Sequence, residues 1–599
     1  MCRIAGIVDV KNNPSLALLQ TMTNAMQRGG PDDAGTYLNE DLHIALGHRR
    51  LSLIDLSALG HQPMYSKNGN IVLVFNGEIY NYLTIKEKLK KKGYSFISNS
   101  DTEVIIYAYE EWGIACLEHF NGMFALALLD IKRQKLFLAR DHAGIKPLYY
   151  SLTNEKLIFA SEVRAFKSLD PYWQENPDWK KYFLTYGFIP EHNTTLQNLK
   201  SLTKVSYLEI EIPTLKSTSH IFYTPTYNYT INDLPTAVQK VKETLIAAVE
   251  RHLIADAPIG LFLSGGLDSS LLTIIAQRFI PNQLRTLSII FDDEKYSEKM
   301  YQDIVIQQTK ANHHSYLVTE KDFMAALPDI LEAMDQPSND GVNTYFISKY
   351  AKEYGLKAVL SGIGADELFG GYQSFQRLKK IRAIKWMPNF MLMATSSFSN
   401  DKLKKLSFLA SSNGMGDYLI NRGFFIPKQI AEILDCSVEE VINTLQNSKI
   451  PQWVNDLLPE EKNSYLETNI YMQNQLLKDA DYMSMWHSLE IRVPFLDKEL
   501  IQLVHSIHPS IKFNPNQIKF LLVEAFKDVV PEAVWKRPKQ GFTFPFESWI
   551  KNVPIPPNVI AQPSFTKMHN QFLQNKLHWS RYWGYLLTQS AFTQTKKNA

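Results

Sequence analysis

Residues 257–279 read APIGLFLSGGLDSSLLTIIAQRF: an apolar run of strand length meets a Ser-Gly-Gly turn and leaves it at once as an apolar helix. A strand apolar on both faces must be covered on both, and a helix that follows it without a hairpin is the crossover of a parallel sheet. The alternation continues with strand-like LRTLSIIF, helical KMYQDIVIQQTKA, strand-like HSYLVT, helical FISKYAKEYG and strand-like KAVLSG. These runs predict an α/β doubly wound parallel sheet. The long amphipathic helix LPTAVQKVKETLIAAVERHL leads into it, and beyond about residue 375 helical patterns dominate with no new domain signal.

The N-terminal third is patterned differently. IAGIVDV, HIALGHRRLSLIDL, NIVLVFNGEIYN, MFALALLDIKRQKLFLARD, PLYYSL and KLIFASE are short runs closed by Gly, Asn, Asp or Pro, which predicts largely antiparallel strands. Two helical patterns interrupt them, LTIKEKLKKKGY and TEVIIYAYEEWG, the second with Asp101 as its cap. The expected organisation is an α+β domain over residues 1–215, a Tyr-, Thr- and Pro-rich connection in HIFYTPTYNYTINDLP, and a second domain over 235–599. A chain of 599 residues has room for two or three such large units.

Lys and Arg number 63 against 61 Asp and Glu, a formal charge of +2, so no long-range field is available to hold a phosphate backbone, and nucleic acid is not an expected partner. Cys2, Cys116 and Cys436 are too few and too scattered for a disulfide framework, which fits a reducing compartment; no secretory h-region opens the chain and no run of about 18 apolar residues occurs, so no membrane association and a cytoplasmic location are expected. His313 with His314 and His505 with His508 read as structural, Cys116 and Cys436 as core residues, and KEKLKKKG at 86–93 as a solvated helix face.

Removal of Met1 would make Cys2 the N-terminal residue, holding a thiol and a free amine together. An α-amine titrates near 7.7–8.0, low enough to accept the thiol proton at neutral pH. Polar groups at strand ends supply what such a nucleophile needs: Arg50 with Leu51 and Ile54 in HRRLSLID, Asn76, Gly77 and Glu78 in FNGEIYN, and Asp101 in SDTEV. The Asn76 carboxamide and the Gly77 N–H suit a tetrahedral oxyanion, while Arg50 and Asp101 suit the two charges of an amino-acid zwitterion.

MCRIAGIV, RGGPDD, HRRLSLID, FNGEIYN, SDTEV, GMFALALLD and RDHAGIKPLYY, spanning nearly all of residues 1–165, together resemble the glutaminase domain of the class II glutamine amidotransferases. The resemblance implies an N-terminal-nucleophile sandwich, with Cys2 attacking the glutamine side-chain amide, Asn76 and Gly77 as oxyanion hole, and Arg50, Leu51, Ile54, Asn76, Gly77, Glu78 and Asp101 binding glutamine. One departure is Gly29 in RGGPDD, where relatives carry Arg.

In the second half, SGGLDSS at the carboxyl end of a strand and the start of a helix is a cradle for an anion, without the GxxxxGK[ST] pattern of γ-phosphoryl chemistry. Asp268 inside that cradle makes sense with a cation between it and phosphate, and a second carboxylate, Asp366 with Glu367 beside it, follows another predicted strand in VLSGIGADELFGGY.

SGGLDSS and SGIGADELFGGY resemble the PP-loop ATP pyrophosphatase domain of asparagine synthetases and β-lactam synthetases, a match extended by KDADYMSMWHSLEIRVPFLDKEL and RPKQGFTFPFESWI. The resemblance implies cleavage of ATP between its α and β phosphates to adenylate a carboxylate. It assigns ATP binding to Phe262, Ser264, Gly265, Gly266, Asp268, Ser269, Ile289, Ser361 and Gly362, Mg2+ to Asp268 and Asp366, and pyrophosphate contact to Lys519, whose bland alternative is a helix-surface lysine. The departures gather at the acceptor: Ile363 replaces a Glu, DQPSNDGVNTYFISK offers Asp340 and Asn343 but no Arg, and Tyr482 and Trp486 stand where Arg and Ala are usual. The expectation is a glutamine-dependent ligase that makes asparagine from aspartate with ATP, AMP and diphosphate being formed, and that works as a homodimer. The alternatives are the same chemistry on another carboxylate, such as a polysaccharide uronic acid, and a non-enzymatic nucleotide or glutamine sensor, which has no use for the nucleophile and paired carboxylates.

Overall fold

The computed structural model describes residues 2–169, 171–281, 283–377, 384, 386–398, 400–411, 414–537 and 544–589. Met1 and residues 538–543 of the RPKQGFTFPFESWI segment lie outside them.

The N-terminal half is two stacked six-stranded sheets, antiparallel at every pairing. The first runs, edge to edge, Lys200–Ser201, Tyr149–Leu152, Lys156–Ala160, Arg3–Asp9, Ile44–Arg50 and Asp33–Asn39. The second runs Ser217–Ile221, Ser206–Glu211, Lys135–Arg140, Gly122–Asp130, Ile71–Ile79 and Met64–Tyr65. Side chains alternate between faces: Ile4 and Val8 meet Val72, Val74 and Leu129 between the sheets, while Ala5 and Ile7 face the helix Leu16–Ala25 on one outside. On the other, Leu73 and Phe75 pack under the helices Tyr82–Lys91 and Asp101–Trp112. The inner strands of both sheets are therefore covered on both faces, which is why they read as apolar runs.

Three local expectations are corrected. The cap of the helix Asp101–Trp112 is Ser100, whose Oγ accepts from the Thr102 amide at 3.1 Å; Asp101 is freed to accept from the Ile79 amide at 2.9 Å. Within 86–93, Lys86 is buried, donating to the Ser98 carbonyl at 2.8 Å, because its position on the helix turns the stem inward. Cys116 is a core residue, but Cys436 is half-buried at the core's margin. His508 caps the turn Pro509–Lys512 through the Ser510 amide.

The second half is built on a five-stranded sheet in the order Asn312–Leu317, Arg285–Ile290, Ile259–Phe262, Ala358–Leu360, Glu490–Arg492, every pairing parallel. The last strand has three residues between helices, too short to show alternation, and the helical reading of the region beyond 375 passed over it. Chain order proceeds outward on one side of Ile259–Phe262 and resumes on the other, so the ends of that strand and of Ala358–Leu360 flank the switch point where open α/β sheets form their crevice. No helix among the described residues is long and apolar enough to cross a membrane.

Buried polar pairs join the halves. The Arg3 guanidinium is paired with Glu162 and, at 2.9 Å, with Asp481, and Lys146 reaches Asp481 at 3.3 Å. Asn121 donates to Asp497 at 3.0 Å. Gly29 is explained by this contact: a Cβ there would lie 2.8 Å from the Arg3 side chain.

Candidate active site

Cys2 immediately precedes the central strand of the first sheet, which pairs with Ile44–Arg50, so the end of that neighbour and the turn after it wrap the thiol. The Leu51 amide hydrogen-bonds the sulfur, and burial pushes the thiol up to about 11. In the second sheet Asn76 and Gly77 face Ala125 and Phe124 across a ladder so tight that a Cβ on Gly77 would sit 2.1 Å from the Met123 carbonyl. The Asn76 Oδ1 accepts from the Cys2 backbone N–H at 3.2 Å, whereas its Nδ2, wholly buried, has no partner among the described residues. A buried amide donor left unpaired is costly unless something arrives to accept from it, and a carbonyl oxygen turning into an oxyanion is such an acceptor.

The remaining sequence-predicted groups surround this point. Arg50 donates to the Ser57 carbonyl at 2.9 Å and to that of Asp55, which fixes its guanidinium against the loop containing Ile54. Burial pushes Asp101 up to about 6, against the pull of the Ile79 amide. Burial also drives Glu78 well above the carboxylate range, with Glu490 nearby adding to it; Arg492, 3.4 Å away, opposes the shift. Arg492 was missed by the sequence reading, although it stands in the SLEIRVPFLD motif. Its side chain reaches Glu78 and Glu490 while its carbonyl accepts from the Ser361 amide at 2.8 Å, in the other half's crevice.

That crevice is a cavity of about 270 Å³. Phe262, Ser264, Gly266, Asp268, Ser269, Ile289, Ser361 and Gly362 line it, eight of the positions assigned to ATP. Gly265, at φ +78°, is turned toward Tyr301 and Gln302 instead. The Ser264 and Ser269 hydroxyls lie 3.0 Å apart, and the Gly266 amide donates to Ser264 at 3.2 Å. The helix Leu267–Ala276 starts here, so its free N–H groups and dipole face the cavity.

Lys519 is not on a helix surface. It caps the helix Phe520–Phe526 with φ +52°, is buried, and places its ammonium 2.5 Å from Asp268 and 2.6 Å from Asp366. Two carboxylates converging on one point also fit Mg2+, which takes one or two carboxylates and completes its shell with phosphate oxygens and water. Burial pushes Glu367 up to about 7, with Asp366 beside it, and the Tyr372 hydroxyl donates to it at 2.6 Å.

The acceptor departures fall in two places. Tyr482 and Trp486 belong to the joint between the halves: Tyr482 is hydrogen-bonded to Tyr149, and the Arg28 guanidinium lies 3.9 Å over the Trp486 ring. Ile363 and Asn343 line the cavity beside Asp340 and Asp479. An arginine absent from the sequence around Asp340 is brought to it from elsewhere, Arg422 on the helix Gly416–Arg422, packed 3.8 Å over Tyr471 and paired with Glu467 at 2.9 Å.

The family model for asparagine synthase matches residues 240–557, and that for a glutamine amidotransferase domain matches residues 1–223. The chain is 31% identical to asparagine synthetase [glutamine-hydrolyzing] 1 of Bacillus subtilis, over 92% of this chain and 88% of that protein. A putative asparagine synthetase [glutamine-hydrolyzing] 2 of Methanocaldococcus jannaschii is 33% identical over 71% and 84% of the two chains. Amidase chry2 of Gibberella zeae is 27% identical over 89% and 85%.

Proposed function

The chain belongs to the asparagine synthase family, in its glutamine-hydrolysing form, and from that premise we propose that it adenylates aspartate with ATP and amidates it with ammonia released at Cys2, giving asparagine. The observation that carries the reading is the Lys519 ammonium bridging Asp268 and Asp366 across two strand ends, in a chain whose Cys2 faces an unpaired amide donor.

In this reading the Cys2 sulfur attacks the glutamine side-chain carbonyl, and the oxygen that gains charge is held by the Asn76 Nδ2 and the Gly77 N–H. The thiol is protonated at neutral pH, so a base must take its proton; the amine exposed by loss of Met1 serves and returns the proton to departing ammonia. Water then releases glutamate from the thioester. Arg50 and Asp101 hold the carboxylate and amine of glutamine.

In the second site the acceptor carboxylate attacks the α-phosphorus, diphosphate leaves, and ammonia displaces AMP from the mixed anhydride. The Ser264–Ser269 turn binds phosphate oxygens, and Lys519 follows the charge that builds on the departing diphosphate. Mg2+ held by Asp268 and Asp366 would neutralise that charge further. Diphosphate release that requires aspartate and is matched by asparagine supports the reading; glutamine hydrolysis with no aspartate response sinks it.

A second reading keeps the chemistry and changes the acceptor to another carboxylate, a uronic acid for example. Ile363 favours it, because an apolar side chain in the cavity wall offers aspartate's ammonium nothing to bind.

A further inference from the structure

Beside the nucleotide cavity lies a second chamber of about 320 Å³, and Asp340 and Asn343 belong to the walls of both. Its other walls are largely aromatic, with Tyr186 stacked against Tyr418 at 6.2 Å and Phe546 against Trp579 at 4.9 Å. Such a volume holds roughly ten water-sized groups, against the six heavy atoms that aspartate carries beyond its reacting carboxylate. Arg422 is the one arginine among the described lining residues, and it is already neutralised by Glu467 and covered by Tyr471. A second carboxylate on the acceptor would thus meet no uncompensated cation and would face Asp340.

Asn339 and Tyr418, both buried in these walls, carry polar groups without a partner among the described residues. Asn339 is 5% exposed; its backbone N–H donates to the Gly187 carbonyl at 3.0 Å, but neither its Nδ2 nor its Oδ1 is hydrogen-bonded. The Tyr418 hydroxyl is in the same condition. Native interiors satisfy such groups, and exceptions point to a guest. A carboxamide and a phenol each donate and accept, so the matching guest is a neutral group that does both, a hydroxyl or an amide.

We propose that this chamber receives the non-reacting body of the acceptor, that Asn339 determines its specificity, and that the acceptor is a carboxylic acid larger than aspartate whose second polar end is a neutral hydroxyl or amide. The inference rests on the adenylating chemistry above and, for the acceptor alone, takes the second reading in place of aspartate.

The test measures diphosphate release by the full chain with ATP, Mg2+ and glutamine, comparing aspartate, D-glucuronate for the hydroxyl source and N-acetyl-β-alanine for the amide source. One of the last two should exceed aspartate in kcat/KM by about tenfold or more, since a site built to hydrogen-bond a group discriminates strongly for it. Asn339→Leu should raise the KM for that acid about tenfold with little change in the KM for ATP. Tyr418→Phe, which removes a single oxygen and keeps the ring, should raise it about threefold. Preference for aspartate, or an acceptor KM unmoved in Tyr418→Phe and Asn339→Leu, overturns the subsite and leaves the ligase reading standing. No diphosphate with any acid overturns both.

Discussion

The two reactive regions are built on opposite plans. The Cys2 site lies between stacked antiparallel sheets: Cys2 leads into a strand of one, Asn76 and Gly77 lie on a strand of the other, and each strand is held in register by its own ladder, with all three residues buried. The nucleotide site lies outside the ends of a parallel sheet, where turns and helices converge from residues as distant as Asp268, Asp366 and Lys519. A ladder gives a rigid pocket for one small amide; a sheet edge gives an adaptable crevice whose acceptor end varies without disturbing the phosphate end. Arg492 spans the difference, with its side chain at Glu78 and its backbone at Ser361.

The sharpest way to break that comparison is to remove one reaction and ask for the other. Cys2→Ala should lower glutamine-dependent turnover by on the order of 10⁴-fold, while diphosphate release supported by added ammonium stays near the parent rate. Loss of both would mean the regions are one site. Next in size, Asn76→Ala should cost the glutaminase kcat about 10²–10³-fold, the usual toll of an oxyanion donor. Lys519→Met should lower diphosphate release by about 10²-fold and leave glutamine hydrolysis unaffected, because the carboxylates it joins lie only in the second crevice.

The same contrast decides what could be seen in the sequence. The runs that carry the candidate glutaminase groups are legible because short apolar runs closed by Gly, Asn or Asp give their strands, and the Ser-Gly-Gly turn because strand, glycines and helix are contiguous. Lys519 is ambiguous in the sequence, since a lysine ahead of a helix looks exposed until the fold turns it beneath two carboxylates. Arg422, Asn339 and Arg492 are illegible in the sequence: a helix and a loop bring the first two to one chamber, a three-residue strand carries the third to Glu78, and no period or spacing encodes such meetings.

A pH profile sharpens the picture of the enclosed pocket. Burial pushes Asp101 up to about 6, so the carboxyl is protonated below that pH and ionised above it. If it binds the ammonium of glutamine, kcat/KM for glutaminase should fall about tenfold per pH unit below 6. Asp101→Asn should lower the plateau and erase that limb; a profile identical in the variant would place the titration elsewhere.

The smallest effect asks whether two plans also mean two stabilities. The helix Leu16–Ala25 in the first half is capped by Ser15, whose hydroxyl accepts from Leu18 at 3.3 Å. The helix Glu320–Ala333 in the second has a full capping box between Thr319 and Asp322. Ser15→Ala and Thr319→Ala should each cost about 1 kcal/mol. If the halves were independent, each cap would lower only its own transition. The joint argues otherwise: Arg3 is buried between Glu162 on one side and Asp481 on the other, and Arg492 between Glu78 and Glu490, so parting the halves strands charges in low dielectric. Calorimetry should therefore show one transition, lowered by either cap, with glutaminase and diphosphate-releasing activities lost together on heating. Two transitions, each answering to one cap, would show that the buried pairs align the halves without holding them.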